Sequence, residues 1–188
     1  MIKETDYSRA VSDWLADAHP NPAQAKAEWG DPRRGRVALI PSGRAFDTIR
    51  VSTSIVHAAV GATSEGEVAA FLSALVDGPI IHDAYSATGA YGVYYFLVPL
   101  GFCAHHLADD AQLLTSDTWL GVPEPTRTAR PGPFWVLAPR QRDDFCIPGY
   151  VDQLIRAGRR KLAERPVVVP GMEGRGQRSR ELQEGATW

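Results

Sequence analysis

Cysteine is scarce in this chain of 188 residues, with Cys103 and Cys146 the only two. That excludes a disulfide framework and a four-cysteine zinc site, and it suits a reducing cytosol. Long apolar runs are missing as well. No stretch approaches the roughly 18 apolar residues of a membrane span, and the opening MIKETDYSRA lacks the basic-then-apolar order of a signal peptide. The expectation is a cytoplasmic protein without a membrane partner. Charge of one sign is absent too: 20 Lys and Arg stand against 22 Asp and Glu, a formal net charge of -2. Coating of phosphate backbones by bulk charge is thereby excluded, whereas a local basic patch is not. Neither G-x-x-x-x-G-K-[ST] nor G-x-G-x-x-G occurs, which removes the common nucleotide loops. The nucleophile elbow G-x-S-x-G is lacking, and Ser42 in Pro-Ser-Gly reads as a turn residue. No cofactor is expected.

What is present is 44% hydrophobic and 22% charged residues, enough for one core of ordinary size. Val11, Trp14, Leu15 and Ala18 fall at i, i+3, i+4 and i+7, one face of a helix that Pro20 stops. Asn21 as N-cap and Pro22 at the first helical position open a second helix ending near Gly30, so residues 1–30 form a helical hairpin. From Arg36 the texture changes to strand: RVALIP and FDTIRV, joined by a Pro-Ser-Gly-Arg turn, read as a β-hairpin. Ser64 and Glu67 form a capping-box pair ahead of the stripe Val68, Phe71, Leu72, Leu75 and Val76, closed by Gly78 and Pro79. Strands follow at PIIHD, GVYYFLVP, TWLGVP and PFWVLAP, and a helix over 149–163 buries Val151, Leu154, Ile155 and Leu162. Residues 166–188 are Gly-rich without apolar period and read as a mobile tail. The order predicts a single α+β domain over 1–165, a two-layer sandwich with helices against a mixed or antiparallel sheet.

Several groups could carry chemistry. Cys103, His105, His106, Asp109 and Asp110 crowd into eight residues and supply ligand types for zinc or iron, but the spacing matches no standard site, so no metal is assigned. His57, and His82 with Asp83 at a strand end, could act as general bases, although no partner nucleophile is visible. Tyr91, Tyr94, Tyr95 and Phe96 make one strand aromatic, as in sheets that stack single-stranded bases. Alternation sends Val93, Tyr95 and Leu97 to one face and Tyr94, Phe96 and Val98 to the other. Arg33, Arg34 and Arg36 form one basic cluster; Arg156, Arg159, Arg160, Lys161 and Arg165 form another. From Tyr150 onward there are eight basic and five acidic residues, net +3, against twelve and seventeen before it, net -5. Such a basic end can touch phosphates or simply be a solvated helix face.

The string RVALIPSGRAFDTIRV, followed by a helix and then DGPIIHD, GVYYFLVP, TWLGVPEP and FWVLAP, resembles the amino-terminal domain of bifunctional DNA primase-polymerases. These form the prim-pol branch of the archaeo-eukaryotic primase superfamily, and the likeness is greatest to short divergent members from high-GC bacteria. The resemblance covers about 36–139. It implies an RNA-recognition-like sheet whose acidic pair, histidine and further aspartate hold divalent metal and nucleotide phosphates. The matching positions here are Arg50 and Ser52, Val93, and Gln112, so the expected catalytic residues are replaced. A shifted acidic site could be built from Asp47, His82, Asp83 and Asp117. The resemblance thus implies a non-catalytic nucleic-acid-associated or regulatory binding protein. Contacts with single strands or duplex would run through Arg50, Tyr94, Tyr95, Arg156, Arg159, Arg160 and Lys161. The alternatives are a protein-interaction module or homodimer using Trp119 and Trp135, and a metal-dependent nucleotidyltransferase at the shifted site.

Overall fold

A computed structural model describes residues 4–84, 92–102, 111–116 and 118–164, with side chains from Ser8 onward. The expected tail, Tyr91, the Cys103 to Asp110 cluster and Asp117 lie outside the described residues.

The amino-terminal hairpin forms as its stripe requires. Helices α1 (Glu4–Asp17) and α2 (Pro22–Gly30) bury Val11, Trp14, Leu15 and Ala18, and Asn21 Oδ1 accepts the Gln24 N–H at 3.3 Å as N-cap. Trp29 at the end of α2 donates its indole N–H to the Val122 carbonyl at 2.9 Å, which docks the hairpin on the strands that follow.

Strands β1 (Val37–Pro41) and β2 (Asp47–Ser52) form where expected but do not pair with each other. β1 pairs antiparallel with β6 (Trp119–Pro123) in a two-stranded ribbon, while β2 lies inside a second sheet. The Pro-Ser-Gly-Arg turn carries the chain from one sheet to the other. Ser42 is buried within it, donating its hydroxyl to the Leu114 carbonyl at 2.7 Å and its N–H to the Thr118 carbonyl at 2.8 Å. Gly43, at φ 82°, lies so close to the 115–116 backbone that a Cβ would sit 2.3 Å from the Ser116 nitrogen. Turn residues are the same for a hairpin and for such a crossing.

Helix α3 (Thr53–Val60) follows β2 directly, and α4 (Glu65–Leu75) starts after Ser64, whose hydroxyl donates to the Glu67 carboxylate. The remaining elements are β3 (Ile80–Asp83), β4 (Val93–Val98), β5 (Ala111–Leu114), β7 (Phe134–Leu137) and α5 (Pro148–Ala163). The large sheet has the order β5-β2-β4-β3-β7 with every neighbour antiparallel.

The structure is α+β, but the sheet is covered on both faces rather than built as two layers. On one face, Ile49, Val51, Tyr94, Phe96 and Val98 pack with α3, α4 and α5 around Ile55, Leu72 and Leu154. On the other, Ile81, Leu97 and Trp135 pack with α1, α2 and the ribbon around Trp14, Leu15, Phe46 and Ile40. Among the described residues no helix is long and apolar enough to cross a membrane.

Candidate functional site

The second cover does not reach the whole face. Antiparallel register places Arg50 of β2 between Tyr95 of β4 and Gln112 of β5, and Ser52 beside Val93, which in turn faces Asp83 of β3. Because side chains alternate along a strand, all six project to the side of Ile81 and Leu97, where Tyr95 packs against the apolar cluster of that face. Gln112 is exposed, Arg50, Ser52, Tyr95 and Asp83 are half-buried, and Val93 is buried. Arg50 hydrogen-bonds Tyr95. Burial raises the Tyr95 phenol above its ordinary pKa, against the lowering effect of the Arg50 charge. An arginine for phosphate, an aromatic ring, an amide and a hydroxyl thus share one partly open polar surface.

The described side chains of this surface do not suit a divalent cation. A hard cation wants several oxygen ligands, with carboxylates foremost. The four positions that the family resemblance singles out supply instead a guanidinium, a hydroxyl, an isopropyl group and an amide, with the carboxylate of Asp83 beside them. Among the described residues no group of three His, Cys, Asp or Glu side chains could hold a metal.

Of the shifted acidic site, the described members Asp47, His82 and Asp83 are not brought together. Asp47 is buried, and its Oδ2 accepts the Gly101 N–H at 2.8 Å, which fixes the chain after β4. It pairs in register with Val98 whereas Asp83 pairs with Val93. The two carboxylates are therefore roughly 16 Å apart along the strands and on opposite faces. His82 points away from Asp83, to the helix-covered side, as strand alternation dictates.

Tyr94 is on the side covered by α3, α4 and α5 and is buried, so it offers no stacking surface to a base; its half-buried neighbour Tyr95 lies on the other face. Tyr94 stacks on His82 with ring centres 4.1 Å apart at 8°, and its hydroxyl meets His57 Nε2 at 3.2 Å. Burial pushes the Tyr94 phenol up to about 12, with the Glu65 charge adding to it. Burial lowers His57, and it pushes His82 down to about 4 with help from the Arg130 and His57 charges. Both rings are therefore neutral near pH 7, and Thr53, a residue unremarkable in sequence, stands 3.3 Å from His82 Nε2.

The basic helix α5 packs with α3 on the face opposite Arg50 and Tyr95. Its cations are partly engaged: Arg156 binds Asp152 at 2.7 Å, and Lys161 donates to the Ala59 carbonyl at 2.8 Å. Arg156 and Arg160 flank a groove with Phe71 and Leu75 of α4, and Arg159 lies on the same helix. One flat contact cannot take in both Arg50 and α5.

No family model, curated protein or solved structure matches the chain. The reading of its site therefore rests on the geometry.

That geometry also separates the two tryptophans considered for protein contacts. Trp135 is buried, its indole N–H shared by the Pro123 and Glu124 carbonyls at 3.1 Å. Trp119 is 51% exposed beside Leu39, also 51% exposed, on the outer face of the β1–β6 ribbon, with His19 edge-on to it at 5.6 Å.

Proposed function

We propose that the protein is a non-catalytic nucleic-acid-associated binding protein on a primase-polymerase-like fold. Its contact surface is the polar end of the large sheet. The observation that carries this reading is the convergence of Arg50, Tyr95, Gln112 and Ser52 on one partly open face. A guanidinium binds phosphate bidentately, and a tyrosine ring accepts a stacked base without regard to sequence. Single-stranded nucleic acid fits better than duplex, because its bases can reach a ring set in a sheet.

The test is fluorescence anisotropy with labelled single- and double-stranded oligonucleotides at two salt concentrations, with and without magnesium or manganese. Salt-weakened, metal-independent binding that Arg50→Ala and Tyr95→Ala both reduce is the expected result. No binding at low salt overturns the reading, and strict metal dependence returns the nucleotidyltransferase alternative.

A second reading rests on the Trp119 and Leu39 exposure: the outer ribbon face would then hold a protein partner or a second copy of the chain. Sedimentation equilibrium separates the two, since concentration-dependent mass that Trp119→Ala abolishes, without oligonucleotide binding, favours the ribbon.

A further inference from the structure

On the helix-covered side of the large sheet, away from the surface of Arg50 and Tyr95, a cavity of about 220 Å³ lies between the first turns of α4 and strand β7. Val68, Ala69, Phe134 and Val136 supply its apolar walls, and His82 and Tyr94 supply polar edges. Glu65, Gly66 and Thr128, all exposed, form the mouth.

His82 is the unusual member. Only 3% of its surface is exposed, yet among the described residues Nδ1 has no hydrogen-bond partner. One face of the ring is covered by Tyr94, Phe134 stands edge-on at 5.6 Å, and Nε2 meets Thr53 Oγ1. A buried polar atom left unpaired costs about 1–3 kcal/mol, so such atoms in native proteins generally have a partner that belongs there. A pocket that combines apolar walls with a few polar groups is how small-molecule sites are built.

We propose that this cavity binds a small, uncharged, planar ring compound whose hydroxyl, or N–H beside a ring nitrogen, pairs with His82 Nδ1. The charge requirement follows from the rim. Glu65 and Arg130 neutralise each other in a 2.6 Å ion pair. The imidazole is held neutral by its burial, so among the described residues no unpaired charge inside is left to compensate an ion. A planar ring suits this cavity because the rings of Phe134 and Tyr94 are part of the lining. A group that both donates and accepts serves either tautomer of His82, whichever way the Thr53 hydroxyl turns.

The test uses phenol and adenine, both uncharged at neutral pH, in a titration followed by the ¹⁵N resonances of the histidine rings. The expected result is saturable binding of at least one compound that moves His82 Nδ1. Ala69→Leu, which fills the cavity, or Thr128→Trp, which blocks its exposed mouth, should weaken it at least tenfold. Thr128 is on the surface, so that variant keeps the test valid should Ala69→Leu fail to fold. The proposal is overturned if neither compound moves the His82 signal up to its solubility limit, or if the shift survives in both variants. A Nδ1 resonance already showing a bound water that neither compound displaces also overturns it. Oligonucleotide binding at Arg50 and Tyr95 is on the opposite face and reads out separately.

Discussion

Gly158 of α5 and Ile55 of α3 approach so closely that a Cβ on Gly158 would lie 2.3 Å from the Ile55 carbonyl oxygen. Backbone, not a flexible side-chain tip, occupies that space, so the two helices would have to separate to admit even a methyl group. Gly158→Ala should cost about 2–3 kcal/mol despite the better helix propensity of alanine. Gly149, with nothing within 4 Å of its would-be Cβ, is the control. Urea denaturation of both variants should show a lowered midpoint for Gly158→Ala and none for Gly149→Ala.

The pairing of these helices was only half legible in the sequence. α4 and α5 announce themselves through apolar stripes at helical spacing, and Asn21-Pro22 marks the start of α2. Helix α3 is hidden, because STSIVHAAV continues the β-branched texture of DTIRV with no glycine or proline between them. Strand β5 is hidden for a different reason: AQLL is too short to show a period. Alternation along VYYFLV correctly put Tyr94 and Tyr95 on opposite faces. It does not say which face the helices cover, since no sequence signal marks α3, which caps that face. The positions matched through the family resemblance, Arg50, Ser52, Val93 and Gln112, do adjoin one another. Thr53, Glu65 and Arg130 around His82 carry no sequence signal, being brought together only by the fold.

Glu28 gives a second stability prediction. Its buried carboxylate accepts the Leu39 N–H, the Gln24 amide and the Arg34 guanidinium, each at 3.1 Å, and so seals the outer edge of β1. Burial alone would raise its pKa, but the hydrogen bonds from Gln24 and Leu39 and the Arg34 charge hold it below the ordinary glutamate range. Glu28→Ala leaves the edge amide unpaired and should cost about 2 kcal/mol; Glu28→Gln keeps part of the bonding and should cost less. Amide hydrogen exchange at Leu39 should accelerate in both, most in Glu28→Ala.

Acid sensitivity should trace to His82. Its folded pKa of about 4 lies below the ordinary 6.5, through burial first and then the Arg130 and His57 charges. Above pH 6.5 neither the folded nor the unfolded ring is protonated. As pH falls from 6.5 toward 4, the unfolded chain takes up a proton that the folded protein refuses. Stability drops through that window by roughly 3 kcal/mol. His57, also lowered by burial, adds to the same slope. Stability measured against pH should therefore be flatter between 6.5 and 4 in His82→Phe than in the wild type. An unchanged slope would place the sensitivity elsewhere.

Oligonucleotide binding should distinguish the two faces of the sheet. Arg50 meets phosphate in the proposed contact, so Arg50→Ala should weaken binding to all sequences alike. It should also reduce the slope of log affinity against log salt by about 1. Tyr95 contributes a ring and no charge: Tyr95→Ala should cost about 1–3 kcal/mol with the salt slope unchanged. On the opposite face, Arg156 is bonded to Asp152 and Lys161 to the Ala59 carbonyl, so Arg156→Ala should leave affinity where it was. The reverse pattern, with α5 variants losing affinity and salt slope while Arg50→Ala does neither, would move the contact to the helical face and leave the Arg50 and Tyr95 surface without a nucleic-acid role.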